Sequence, residues 1–269
     1  MNKVLSELVD RFALLQLHKE RSSTWHFNCR SGEIEDFDMF YKAPHLPAIS
    51  FEEKNTLGDY KIGNYSFKSE IQINDTCNNY SSGLYYINNK NKSPINVVFV
   101  HGWRASGHEK QQNIYLEKFM SLNYNMYFAT LPYHLERNSD SALYNGELMI
   151  SADIDRTLLS VKQAVSDIRA LIRWLKENNS GQVILIGLSL GGLISNLVGV
   201  TEREVDALVS IFYANDLSYT VWEAIPGKYI KADFERHGFT YRELIKKWKI
   251  INPSSFKPVI PKENILLLT

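Results

Sequence analysis

The sequence is poor in cysteine and has no excess of either charge. Its two cysteines, Cys29 and Cys77, show no C-x-x-C spacing and stand apart from any group of histidines. This spacing argues against a zinc site and against a disulfide framework. Basic and acidic residues number 30 each, so no general positive field exists to hold a phosphate backbone. We therefore expect neither a metal site nor a nucleic-acid partner.

Long apolar segments and cofactor motifs are also absent from the sequence. Charged residues interrupt the apolar positions of the first twenty residues. That stretch therefore holds neither a signal-peptide core nor a membrane span of about 18 apolar residues. No Walker loop, dinucleotide fingerprint, EF-hand or zincin signature occurs. The sequence thus predicts a cytoplasmic protein with no integral membrane segment and no cofactor.

The apolar runs that are present have the length of strands covered on both faces. Residues 95–100 form the clearest run, and residues 152–177 show the periodicity of a helix. Further runs of the first kind lie at 125–131, 182–186, 207–212 and 264–268. Two β-rich segments at 58–73 and 79–87 predict an antiparallel pair ahead of them. Strands that alternate with helices predict an α/β fold with a mostly parallel sheet flanked by helices.

These patterns divide the chain into two parts. In residues 1–57 we expect an amphipathic helix within the first twenty residues and then an irregular approach segment at about 22–54. Residues 58–269 are predicted to form the α/β domain. Between its last two strands, residues 217–251 are rich in aromatics and predict a helical cap insertion.

The strongest candidate for chemistry is the sequence Gly187-Leu188-Ser189-Leu190-Gly191. It follows an apolar run and precedes residues with helical spacing, which predicts a sharp turn between a strand and a helix. Such a turn presents a serine hydroxyl at the sheet edge, and the residues two before and two after it must be small. Gly187 and Gly191 meet that need, so Ser189 is the candidate nucleophile. A glycine-rich turn that serves packing or anion binding is the alternative.

A second motif, His101-Gly102-Trp103, follows the predicted strand at 95–100. Together the two motifs resemble those of serine hydrolases of the α/β-hydrolase fold. The resemblance implies that the backbone N–H groups of Trp103 and Leu190 form an oxyanion hole. It also implies a structural role for His101 rather than a role as the catalytic base.

The resemblance further implies hydrolysis of an ester in a small-molecule acyl substrate, through an acyl-enzyme on Ser189. A serine at this position favours acyl transfer over the chemistries that use aspartate or cysteine there. A peptidase or a thioesterase on the same fold is one alternative. A non-catalytic, hydrolase-like binding protein is the other.

The remaining catalytic residues are harder to place. The family carries its acid after the strand that corresponds to 264–268 and its histidine after one more strand, yet all seven histidines precede that strand. We therefore expect the sequence to be a C-terminally truncated fragment, with both residues beyond Thr269. Asp216 is a fallback acid. His134, at the end of a predicted strand, is a candidate for the base or for the pocket lining, and Trp222 is a candidate pocket wall.

Overall fold

The computed structural model describes Phe12 and residues 27–73, 75–90, 94–179 and 181–269. The helix predicted within the first twenty residues lies outside the described residues, apart from Phe12. Among the helices of the described ranges, none is long and apolar enough to span a bilayer.

The described residues form one eight-stranded sheet in the order β1-β2-β3-β5-β4-β6-β7-β8. Its strands are β1 (Ser50–Leu57), β2 (Tyr60–Lys68), β3 (Tyr80–Asn88), β4 (Asn96–Val100), β5 (Asn125–Ala129), β6 (Val183–Leu188), β7 (Ala207–Ile211) and β8 (Ile265–Leu268). The pairs β1–β2, β2–β3 and β3–β5 are antiparallel, and the strands from β5 to β8 are parallel to one another. The predicted antiparallel pair and the predicted parallel strands are therefore confirmed.

The helices lie between these strands. They are α1 (Phe37–Phe40), α2 (Glu109–Ser121), α3 (Ile154–Asn179), α4 (Leu190–Thr201), α5 (Leu217–Glu223), α6 (Lys228–Arg236) and α7 (Tyr241–Trp248). The long predicted helix is α3, and its apolar stripe is buried. Helices α5 to α7 lie between β7 and β8, where the sequence predicts a cap insertion, and their Phe234 and Trp248 side chains are fully buried.

Strand β1 corrects the sequence analysis, which assigned most of its residues to an irregular segment. The strand runs along the edge of the sheet and pairs only with β2 among the described strands. Seven of its eight residues are exposed, and only Phe51 is partly buried. Strand prediction from sequence depends on a buried face with alternating apolar residues, and this edge strand has none.

A buried polar network fixes the loop that follows β5. Arg137 in that loop donates from Nη2 to Asp167 Oδ2 of α3 at 2.9 Å and from Nη1 to the Thr130 carbonyl at 2.9 Å. Asp167 also accepts from Ser69 Oγ at 2.6 Å. Both charged side chains are almost fully buried. Arg137 therefore lies inside the protein, although arginine side chains are usually exposed.

Removing one partner of this pair is expected to cost far more stability than removing a surface charge. Asp167→Ala leaves the Arg137 guanidinium buried without its counter-charge, so we expect a loss of about 3–5 kcal/mol in the free energy of unfolding. Urea denaturation measures this loss. The control is Glu53→Ala, which breaks the exposed ion pair with Lys61 and should leave the midpoint nearly unchanged. Equal effects of the two substitutions would contradict the structural role of Asp167.

Candidate active site

Ser189 occupies the turn between β6 and α4, as the sequence predicts. Its backbone has φ 55° and ψ −113°, and a positive φ is uncommon for a residue other than glycine. The Ser189 N–H donates to the Ile211 carbonyl at 2.9 Å, and its own carbonyl accepts from Leu193 N at 3.1 Å. The residue is exposed although its neighbours in the turn are buried or partly buried. Within the described residues, its Oγ has no hydrogen-bond partner.

The two glycines of the motif are required by close backbone contacts. A Cβ added at Gly187 would lie within 3.0 Å of the Gly191 carbonyl oxygen, so a side chain there would strike the helix. A Cβ added at Gly191 would lie within 3.0 Å of the carbonyl oxygens of Val100 and His101. The first turn of α4 is therefore packed directly against the backbone at the end of β4.

This packing brings the loop after β4 next to the serine. A Cβ placed on Gly102 would lie 3.4 Å from Ser189 Cβ, so the two backbones are neighbours. The N–H of Trp103 and that of Leu190 donate to no other group among the described residues. Leu190 is the first residue of α4, where helix N–H groups have no acceptor within the helix. Two unpaired donors thus lie on the two segments that meet at Ser189.

A mostly apolar cleft opens at Ser189. It contains about 490 Å³ of space between atoms, including its open mouth. Its walls are Trp103, Ile150, Ser189, Leu190, Ala214, Leu217, Thr220, Val221, Pro226, Gly227 and Ile230. Most of these residues belong to residues 217–251 or directly precede them, so this segment forms much of the cleft wall. Clefts with this character bind the apolar part of small molecules and orient them with a few polar groups.

Trp222 does not line this cleft. Its neighbour Val221 does so together with Leu217, because residues four apart share one face of α5. The indole of Trp222 lies on another face, where it stacks on Tyr241 with ring centroids 5.5 Å apart. The sequence predicted Trp222 as a wall residue, and the structure gives that position in α5 to Val221 instead.

Asp216, the fallback acid, has a structural contact. Its Oδ1 accepts from Tyr219 N at 3.0 Å and caps the start of α5. It is not among the residues that line the cleft, and it has no histidine partner within the described residues. The carboxylate therefore serves the helix end in this structure.

His134 is fully buried and does not line the cleft. Its Nδ1 lies 2.9 Å from the Pro132 carbonyl, and its Nε2 accepts from Arg104 N at 3.2 Å. Burial lowers the pKa of His134 to about 4, so the ring is neutral at physiological pH. The sequence placed His134 at the correct edge of the sheet but not at the correct depth.

The other described histidines also lie away from the cleft. His101 is buried, with Nε2 accepting from Leu131 N at 3.1 Å and Nδ1 lying 2.8 Å from the Gly102 carbonyl. His237 stacks on Phe27, whereas His18 and His26 lie outside the described residues. The site thus contains an exposed serine and two unpaired backbone donors, and no histidine from the described ranges lies beside Ser189.

Several wall residues could not be found from the sequence. Ile150, Ala214 and Ile230 are apolar residues like those of any core, and only the tertiary structure brings them to one cleft. The contact between His134 and Arg104 joins residues 30 positions apart, and no local pattern indicates it.

Searches against known proteins give sequence relatives without established functions. No protein-family model matches the chain. The uncharacterized protein YdjC of Bacillus subtilis is 55% identical over 62 residues, which are 23% of this chain and 53% of YdjC. An uncharacterized protein of Mycobacterium tuberculosis is 29% identical over 171 residues, which are 63% of this chain and 37% of that protein. The matched segments thus span about half or less of these relatives.

Solved structures cover more of the chain. Acetyl xylan esterase 1 from Thermoanaerobacterium sp. superposes with a TM-score of 0.63 and 14% identity, over 95% of this chain and 92% of that one. Acetyl xylan esterase from Paenibacillus sp. R4 gives a TM-score of 0.60 and 13% identity, over 88% and 77% of the two chains. Prolyl oligopeptidase B from Galerina marginata superposes with a TM-score of 0.54 and 14% identity, over 78% of this chain and 28% of that one. At these identities the likeness concerns the fold.

The close contact at Gly191 predicts a large effect of a single methyl group. Gly191→Ala forces the turn away from the end of β4, so we expect a loss of stability of about 1–3 kcal/mol, typical of overpacking, and displacement of Ser189. Thermal denaturation measures the stability. Gly32→Ala is the matched control, because a Cβ there would meet no atom within 4 Å. If both variants melt like the wild type, the contact does not restrict the turn.

The buried histidines predict acid sensitivity. Burial lowers the pKa values of His101, His108 and His134 below their usual range, so the unfolded chain binds protons that the folded chain does not. For His134 the stability is complete above about pH 6.5 and decreases as the pH falls towards 4, by about 3 kcal/mol. Burial is the main cause of the low pKa of His134, Arg137 lowers it further, and the ring of His101 packs edge-to-face on that of His134.

Urea denaturation between pH 4 and 7 tests this expectation. His134→Gln should decrease the proton uptake on unfolding near pH 5 by about one proton. His45→Gln, which changes an exposed histidine paired with Glu70, is the control and should leave most of the pH dependence in place. A pH dependence identical in the His134→Gln variant and the wild type would contradict the burial effect.

Proposed function

From the α/β-hydrolase fold, which this chain shares with the esterase structures, we propose that the protein is a serine hydrolase. It cleaves the ester bond of a small-molecule acyl substrate through an acyl-enzyme on Ser189. One observation carries the proposal: an exposed serine on a strained turn has the unpaired N–H groups of Trp103 and Leu190 beside it.

The turn geometry supports a nucleophile. Ser189 has a positive φ at the carboxyl end of β6 and the amino end of α4. Strained backbone of this kind costs about 1–3 kcal/mol and occurs mainly at functional sites. The geometry leaves Oγ at the cleft without a partner among the described residues, so the hydroxyl is accessible to a carbonyl carbon.

The two N–H groups support stabilisation of an oxyanion. When Ser189 Oγ attacks an ester carbonyl, a C–O bond forms and the π electrons move to the carbonyl oxygen. The N–H groups of Trp103 and Leu190 donate to that oxygen, and fixed donors of this type contribute about 10²–10³ in rate each. Collapse of the intermediate breaks the bond to the alcohol, and water then releases the acid from the acyl-enzyme.

The proton of Oγ needs an acceptor, and the alcohol needs a proton on leaving. Since no described histidine lies in the cleft, the structure does not assign this base. That the acid and the histidine lie beyond Thr269 stays a prediction. The mechanism proposed for the described residues comprises nucleophilic attack, oxyanion stabilisation and binding of the acyl group.

The cleft favours an ester of an acyl group over a peptide. The side chains of Ile150, Val221 and Ile230 face the space above Ser189 and suit an apolar acyl chain. Thr220 is the sole hydroxyl-bearing residue in the lining apart from Ser189. A peptide main chain would need several hydrogen-bond partners along a groove, and this lining offers few.

Labelling with a fluorescent alkyl fluorophosphonate tests the nucleophile. Attack by Oγ forms an O–P bond and breaks the P–F bond, with release of fluoride and of the Oγ proton. We expect covalent labelling of Ser189 in the full-length protein and complete loss of labelling in Ser189→Ala. Ser121→Ala, at an exposed serine of α2, is the control and should label like the wild type. Undiminished labelling of Ser189→Ala would show that another residue reacts.

A further inference from the structure

Trp103 is held by groups that the proposed reaction does not use directly. The peptide unit before Trp103 and the one after it each contact a buried imidazole. His101 Nδ1 lies 2.8 Å from the Gly102 carbonyl, and His134 Nε2 accepts from Arg104 N at 3.2 Å. The side chain is held as well, since its indole Nε1 donates to the Gly146 carbonyl at 2.8 Å.

These contacts determine the protonation state of both rings. Each Nε2 accepts from a backbone N–H, namely that of Leu131 for His101 and that of Arg104 for His134. A neutral imidazole has one donor and one acceptor, so each ring carries its proton on Nδ1. His101 Nδ1–H therefore donates to the Gly102 carbonyl, and His134 Nδ1–H donates to the Pro132 carbonyl. Both rings are buried, which favours the neutral form.

The contact from His134 compensates an unfavourable backbone conformation. Arg104 has φ 61°, a left-handed conformation that side chains other than glycine rarely adopt. Its hydrogen bond to His134 holds the peptide unit before Arg104 in place, beside the contact of the Arg104 guanidinium with the Tyr144 ring at 3.9 Å. The Gly102–Trp103 unit contains the donor N–H of Trp103, so a change at Arg104 also changes the direction of that donor.

Contacts from other parts of the chain also hold His134 in place. It belongs to the loop after β5 that the buried Arg137 and Asp167 pair attaches to α3. Gly146 packs on its ring so closely that an added Cβ would lie within 3.0 Å of His134 Nε2 and of the Trp103 indole. Gly146 also donates from its N–H to the Tyr133 carbonyl at 2.6 Å. The imidazole ring of His134 therefore has little freedom to move.

We propose that His134 is a positioning residue of the oxyanion hole: by accepting the Arg104 N–H it holds the loop in the conformation that directs the Trp103 N–H into the cleft. This inference rests on the proposed function, because it assumes that Trp103 N–H stabilises an oxyanion. His134 contacts no substrate in this scheme and acts through Arg104 and Trp103. The ring is not the catalytic base.

Two substitutions at position 134 separate the acceptor from the packing. His134→Leu retains an apolar group of similar size and removes the acceptor. His134→Gln places an amide oxygen near the position of Nε2 and can accept the Arg104 N–H. Val205→Ala is the control for stability, because Val205 is buried just before β7, at the sheet edge opposite Ser189.

The measurement is the rate of labelling of Ser189 by the fluorophosphonate, with the thermal midpoint of each variant. When Ser189 attacks the probe, negative charge increases on the phosphonyl oxygen, which takes the place that the carbonyl oxygen has in acyl transfer. We expect His134→Leu to decrease the rate by about 10–100-fold, somewhat less than the loss of a whole donor. His134→Gln should stay within a few-fold of the wild type. Val205→Ala should lower the midpoint without a comparable change in rate.

The outcomes distinguish this inference from the proposed function. If the wild type is not labelled at Ser189, the proposed function fails and the role of His134 fails with it. If the wild type and His134→Leu are labelled at equal rates, the nucleophile stands and the positioning role is wrong. If His134→Leu and His134→Gln are labelled equally slowly while Val205→Ala is labelled at the wild-type rate, the hydrogen-bond acceptor at position 134 does not control the rate. That result also overturns the inference.

Nitrogen chemical shifts of the imidazole provide a signature that is independent of the reaction. His134 should show a protonated Nδ1 and an unprotonated Nε2 at pH 7, and the Arg104 amide proton should exchange slowly in the wild type and in His134→Gln. A protonated Nε2 would contradict the proposed hydrogen bond directly. Faster exchange confined to His134→Leu would support it.

Discussion

The rest of the site depends on one steric constraint, the contact of the first turn of α4 with the end of β4. Gly191 lies so close to the carbonyls of Val100 and His101 that no side chain fits between them. Because the helix starts there, Ser189 must turn sharply, which explains its positive φ. The same contact places the loop that carries Trp103 beside the serine. A single close approach thus brings together the candidate nucleophile and both candidate donors.

The close packing of α4 on β4 also buries polar backbone groups of the loop that carries Trp103, and these groups need hydrogen-bond partners. Neutral imidazoles suit such a position: each accepts one N–H and donates to one carbonyl, and no charge needs solvation. His101 and His134 do this on either side of Trp103. A lysine could not accept, and a leucine would leave the backbone groups unpaired, which typically costs about 1–3 kcal/mol per group. The loop that carries His134 is held in turn by the buried ion pair between Arg137 and Asp167.

The sequence predicted those parts of the structure that depend on neighbouring residues. The apolar runs gave the parallel strands, and the glycines around Ser189 gave the turn, because both patterns are local. Strand β1 was missed since its residues are exposed. The positions of Trp222 and His134 were predicted wrongly for a different reason. Which face of α5 meets the body and how deeply a loop is buried are decided by tertiary packing, and residue type alone carries no information about either.

The strain at Ser189 bears on the choice between catalysis and simple binding. A protein that only binds a small apolar ligand needs a cleft with the walls seen here, and it has no need for a serine at positive φ or for two unpaired N–H groups beside it. The positive φ at Ser189 lowers stability by about 1–3 kcal/mol. The two donors stabilise negative charge that develops on an oxygen between them. The arrangement around Ser189 therefore favours acyl transfer over binding without reaction.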